Sequence, residues 1–150
     1  MKSEELQAII DFAIDKEQEA VYFYMDLAGK VNIGAIAEEL KKIAKIEEGH
    51  RDRLKEVDAP AAASSAAEPV VDLKIADYLV EKEPKPDMTW QDLLQITMKR
   101  ELSAMNLYTD LSKQVTDPNS KELFKNLAEE ERAHKVYFEK IWDEEVLIED

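Results

Sequence analysis

Six side chains stand out for their chemistry and their spacing: Glu17, Glu47, His50, Glu101, Glu131 and His134. His50 and His134 are the chain's two histidines, and each follows a glutamate by three positions. In a helix that spacing puts both side chains on one face. A constant offset of 84 positions carries Glu17 to Glu101, Glu47 to Glu131 and His50 to His134. The same offset carries Ala20 to Ala104, Tyr24 to Tyr108, Leu27 to Leu111, Ala44 to Ala128 and Leu40 to Phe124. The chain is thus read as an internal duplication with no net insertion across that span. Four carboxylates gathered in one core would repel one another and lose their hydration, which is very unfavourable unless positive charge sits among them. Two divalent cations would bring a charge of +4 against the four glutamates. Oxygen ligands with one imidazole per metal suit iron or manganese, and zinc less specifically.

Such a site needs elements that hold it. Glycine and proline are scarce, three and five residues. Four long stretches, about 3–30, 33–57, 89–115 and 118–146, carry them only near their ends apart from Gly49, and are rich in Ala, Leu, Glu, Lys and Gln, all good helix formers. Ser3 and Asn32 are candidate N-caps. Thr89 with Asp92 resembles a capping box, and Asp117 precedes a proline at a first helical position. The apolar residues recur at alternating steps of three and four. Leu6, Ile10, Ala13, Tyr24 and Leu27 form one stripe, and Ile36, Leu40, Ile43 and Leu54 the next. Leu94, Tyr108, Leu111 and Val115 form the third, and Phe124, Leu127, Phe138 and Ile141 the fourth. Each is the inward face of an amphipathic helix, and the six polar residues sit inside these stripes. Glu17 and Glu47 are equidistant from Asn32, as Glu101 and Glu131 are from Thr116. Antiparallel hairpins would hold each pair at one height, roughly 20 Å from the turn at 1.5 Å per residue.

The expected fold is therefore all-α. A four-helix bundle of two antiparallel hairpins would form a single domain over 1–150, joined by a long crossover over 58–88. Within the crossover, residues 59–67 read as a flexible Ala/Ser-rich linker. Asp72 to Val80 reads as a short helix using Leu73, Ile75, Ala76 and Leu79 for its apolar contacts. A connection of this length would also permit domain swapping.

One Glu from each of two helices, with Glu-x-x-His from each of the other two, is the pattern of carboxylate-bridged dimetal bundles. On Glu17, Glu47-Glu-Gly-His50, Glu101 and Glu131-Arg-Ala-His134, the sequence resembles the ferritin-like superfamily. It is most similar to the rubrerythrin and bacterioferritin type of di-iron protein. The resemblance implies two iron ions, with manganese, mixed iron/manganese or zinc as alternatives. It implies that Glu47 and Glu131 bridge the ions, that Glu17 and His50 complete one, and that Glu101 and His134 complete the other. It also implies an oxidoreductase reacting with dioxygen or hydrogen peroxide, and a homodimer. Rubrerythrins carry a cysteine-rich rubredoxin-like domain, and this chain has no cysteine. A separate electron-donor protein is therefore expected. Rubrerythrins also carry a further glutamate where this chain has Ala104. Tyr24 and Tyr108 lie seven residues after Glu17 and Glu101, on the same helix faces. They are candidate catalytic residues, to hydrogen-bond a ligand carboxylate or donate an electron; packing is the plainer role.

Composition excludes other classes. The absence of cysteine removes disulfide scaffolds, thiolate metal sites and cysteine nucleophiles. Acidic residues outnumber basic ones 34 to 20, giving a net charge of −14. Attraction to nucleic acid or to an anionic membrane is not expected. No apolar run spans a bilayer and the N-terminus does not read as a signal peptide, so a cytoplasmic location is expected. Two other functions fit the same residues: an iron-binding or storage protein without catalytic turnover, and a metal-free helical interaction scaffold.

Overall fold

The computed structural model describes residues 2–63, 74–80, 84–85 and 87–146, with the side chains of 145 and 146 excepted. The elements are α1 (Ser3–Lys30), α2 (Gly34–Lys55), α3 (Ala59–Ala62), a 3-10 turn (Ile75–Tyr78), α4 (Trp90–Gln114) and α5 (Pro118–Ile141). A widened helical turn over Trp142–Val146 continues α5. No strand occurs among the described residues. The chain divides into two compact units, residues 1–68 and 69–150.

The first unit is the hairpin of α1 and α2, with α3 packed on α1. Residues 31–33 reverse the chain, and Val31 and Ile33 both have extended backbone. Neither helix has a side-chain cap. Lys2 stands at the N-cap of α1, so Ser3 is already helical, and Ile33 rather than Asn32 stands at the N-cap of α2. Glu4 and Glu5 in the first turn of α1 face the positive end of the helix dipole. Residues 59–63 do not behave as a free linker. The Asp58 carboxylate accepts from the Ala61 N–H, Pro60 suits a first turn, and Ala59, Ala62 and Ala63 are buried. Residues 64–67 lie outside the described residues.

The second unit is the hairpin of α4 and α5, and side chains cap both helices. Thr89 Oγ1 accepts from the Asp92 N–H while Asp92 accepts from the Thr89 N–H, each at 3.1 Å. Asp117 accepts from the Ser120 N–H at 3.0 Å, with Pro118 opening the helix. Of the expected 72–80 helix, the described residues 74–80 form one 3-10 turn. Ile75, Ala76 and Leu79 are exposed and the buried residue is Tyr78; Leu73 lies outside the described residues. Tyr78 donates its hydroxyl to Asp110 at 2.6 Å, and Ser103 donates to the Tyr78 carbonyl at 2.6 Å. Two polar contacts to α4 hold this turn, and Ile75 and Leu79 remain outside.

The stripes are the core. Leu6, Ile10, Leu40, Leu54, Leu94, Leu111, Phe124 and Phe138 are at most 1% exposed. Burying a Leu or Phe fully stabilises by roughly 1.5–3 kcal/mol, so each stripe fixes the rotation of its helix. That rotation carries the six polar residues inward with the apolar ones.

Candidate metal centre

In the first hairpin, α1 presents Glu17, and α2 presents Glu47 and His50 one turn apart. They are 3%, 1% and 0% exposed. His50 Nδ1 lies 3.5 Å from Glu17 Oε2 and 3.7 Å from Glu47 Oε1. In the second hairpin, α4 presents Glu101, and α5 presents Glu131 and His134, all buried. His134 Nδ1 lies 3.7 Å from Glu101 Oε2 and 3.6 Å from Glu131 Oε1. Within each trio the ligand atoms all lie within 4.8 Å of one another.

These distances carry information. A direct N–H···O hydrogen bond spans about 2.7–3.2 Å, and these gaps are longer. Two ligands about 2.1 Å from one ion, at angles of 90–120°, stand roughly 3.0–3.6 Å apart. The trios have ligand spacing rather than hydrogen-bond spacing, in both hairpins and through the same imidazole nitrogen. Two carboxylate oxygens and one imidazole nitrogen form a donor set for a first-row divalent metal. An all-carbon environment could not stabilise this charge, whereas a cation among the oxygens would. The residues fit the group that the sequence implies.

Tyr24 and Tyr108 are each 1% exposed. Tyr24 meets Phe23 edge-on at 5.4 Å, and Tyr108 stacks on Phe124 at 6.4 Å with the rings 12° apart. Both rings pack against aromatic neighbours in the core. Gly49, between Glu47 and His50, has open space where a Cβ would stand, and Ala133 is exposed. Crowding at the trios therefore does not explain these small residues.

The sequence reading missed a bridge beside the first trio. Arg51 Nη1 donates to Gln18 Oε1 at 2.6 Å, crossing from α2 to α1. Arg51 also donates to Asp52 through Nε at 3.0 Å and Nη2 at 2.9 Å. The signal was available, because Gln18 and Arg51 directly follow Glu17 and His50 in the chain.

Comparison with known proteins agrees with this architecture. Residues 92–149, spanning most of the second hairpin, match the rubrerythrin family. Among curated proteins none matches. A solved structure from Thermotoga maritima, described as a ferritin-like diiron-carboxylate protein, is 20% identical with a TM-score of 0.75. The match covers 96% of each chain. A hypothetical protein from Pyrococcus furiosus is 25% identical with a TM-score of 0.70, over 95% of this chain and 89% of that one. The fold is similar to that of the ferritin-like structure, and residues 92–149 carry the resemblance to the rubrerythrin family.

Proposed function

We propose that the two trios together hold a pair of iron ions, and that the protein is a di-iron oxidoreductase that reduces dioxygen or hydrogen peroxide. One observation carries the reading: each hairpin buries one Glu from its first helix and a Glu-x-x-His pair from its second at ligand spacing. The family match over residues 92–149 and the description of the Thermotoga relative support it. Glu17, Glu47 and His50 would hold one ion and Glu101, Glu131 and His134 the other. Four carboxylates neutralise two divalent ions, and the pair gains a dry, fixed setting.

Ferrous iron supplies the electrons for the reduction. The chain's own residues do the rest. Each histidine turns Nδ1 toward its carboxylates, so ligation there would leave the proton on Nε2. Carboxylate and imidazole burial excludes bulk water. Tyr24 and Tyr108, two turns from Glu17 and Glu101, hold their rings rigidly in the core and serve as hydrogen-bond or electron donors to the centre. A separate donor protein renews the electrons, and the working unit is a homodimer in the cytoplasm.

Anaerobic loading with Fe(II) followed by elemental analysis tests the reading. About two irons per chain are expected, with loss in the Glu47→Ala, Glu131→Ala double variant. Peroxide should then oxidise the bound iron stoichiometrically. Uptake of many irons per chain in air would instead establish storage, and no uptake would establish a metal-free bundle. Among the described residues no helix is long and apolar enough to cross a membrane.

A further inference from the structure

The two hairpins hold the same trio, but the seams beside the trios differ. In the first, the Arg51–Gln18 bond ties α2 to α1 at 2.6 Å, and Asp52 steadies the guanidinium from the other side. His50, next to Arg51, is 0% exposed. At the offset of 84, Gln18, Arg51 and Asp52 become Leu102, Lys135 and Val136. Leucine cannot accept a hydrogen bond, and Lys135 gives its ammonium to Glu139, one turn along its own helix, at 2.7 Å. The seam between α4 and α5 instead carries a groove of about 410 Å³, lined by Met98, Lys99, Leu102, Lys135, Glu139 and Trp142. Leu102 and Lys135 are the chain neighbours of Glu101 and His134. His134 is 7% exposed.

The charge at the two seams also differs. Lys99 of the groove corresponds to Asp15 in the first hairpin, and Met98 to Ile14. In a chain of net charge −14, two ammonium groups against one carboxylate make this mouth locally cationic. Met98, Leu102 and Trp142 give it apolar lining, beside the amide of Gln95. A free divalent cation is disfavoured there, while a small anion is attracted and a small neutral molecule is tolerated.

We propose that the α4/α5 groove at Leu102 and Lys135 is the entrance to the buried centre for small anionic or neutral reactants, and that the Gln18–Arg51 bridge closes the matching seam of the first hairpin. The proposal rests on the di-iron reading only for what the entering molecule meets. Its test uses metal-free protein, so the two stand or fall separately.

The chain's two histidines are the natural reporters. Both have two carboxylates at nearly the same distances, so a difference in their reactivity reports access. Full-length metal-free protein is treated with diethyl pyrocarbonate, and each histidine is followed by peptide mass spectrometry. His134 should react about tenfold or more faster than His50, which is reached only through local opening. Copying the bridge into the second hairpin, Leu102→Gln with Lys135→Arg and Val136→Asp, should bring His134 down to the rate of His50. Removing it from the first, Gln18→Leu with Arg51→Lys, should raise His50 toward His134. Circular dichroism melting checks that each variant is folded; if one is not, the reciprocal variant decides. Equal rates in the parent protein, or a ratio unmoved in the folded variants, would overturn the proposal. The Lys99→Glu variant should slow alkylation of His134 by iodoacetate while sparing its reaction with the neutral reagent. Equal effects on both would overturn the charge preference.

Discussion

The two hairpins are one sequence pattern folded twice, and they differ mostly away from the metal-type residues. Both bury Glu, Glu and His at 3.5–3.7 Å. Both surround them with stripes at steps of three and four. The helix starts differ: Thr89, Asp92 and Asp117 cap the second hairpin, while Lys2 and Ile33 leave the first without side-chain caps. The seams differ too, one tied by Arg51 and Gln18 and the other left as a groove. An inward position is constrained by packing and by charge together, whereas caps and rims are each worth about 1 kcal/mol and can be exchanged.

The largest expected effect breaks the equivalence of metal-free and loaded protein. Replacing Glu47 and Glu131 by leucine removes two buried like charges from the metal-free chain, which should become more stable by about 1–4 kcal/mol. The parent should gain about 4 kcal/mol from free Fe(II) at a thousand times its dissociation constant, and the variant should gain almost none. Thermal melts with and without metal under anaerobic conditions read both changes. A parent melting temperature unmoved by metal would count against the site.

Next come the caps. Asp117→Ala should destabilise by about 1 kcal/mol, since the Ser120 N–H and hydroxyl both lose their acceptor. Ser3→Ala in the first hairpin should change stability by less than about 0.5 kcal/mol, because Ser3 lies inside the helix and not at its cap. Ile33→Asp should stabilise by roughly 0.5–1 kcal/mol. Ile33 is 47% exposed and stands where a capping side chain belongs. Urea melts of the three variants measure the contrast, and equal losses at Ser3 and Asp117 would contradict it.

The smallest effect concerns pH. Burial, then the hydrogen bond to Asp110 and the nearby carboxylates, pushes the Tyr78 hydroxyl well above its ordinary value. Above about pH 10 the unfolded chain ionises this tyrosine while the folded chain keeps it neutral, so stability falls as pH rises. Below pH 10 the contribution is fully present. Tyr78→Phe should cost about 1 kcal/mol near neutral pH through the lost hydrogen bond. It should also flatten the decline above pH 10, as denaturant melts across pH 8–11 would show.

What was legible in the sequence follows the same division. The helices, their inward faces and the six metal-type residues could be read because periodicity and the 84-position repeat each report them independently. Thr89 and Asp117 were legible because a cap is a local signal. Ser3 and Asn32 were not, since extended backbone at Lys2 and Ile33 moved each helix start by one residue. The α3 turn was hidden inside an Ala-rich stretch, where only Asp58 and Pro60 announce a helix. Tyr78 was overlooked because its burial depends on Asp110 and Ser103, 32 and 25 residues away. The Gln18–Arg51 bridge escaped for the same reason, as it depends on partners 33 residues apart meeting across a hairpin.

The duplicated Glu, Glu, His trio is proposed to hold two metal ions. Elemental analysis of the anaerobically reconstituted full chain, beside the Glu47→Ala, Glu131→Ala variant, tests it most directly. About two irons per parent chain and essentially none in the variant are predicted. Fewer than about one iron per parent chain, or equal content in both proteins, would contradict it.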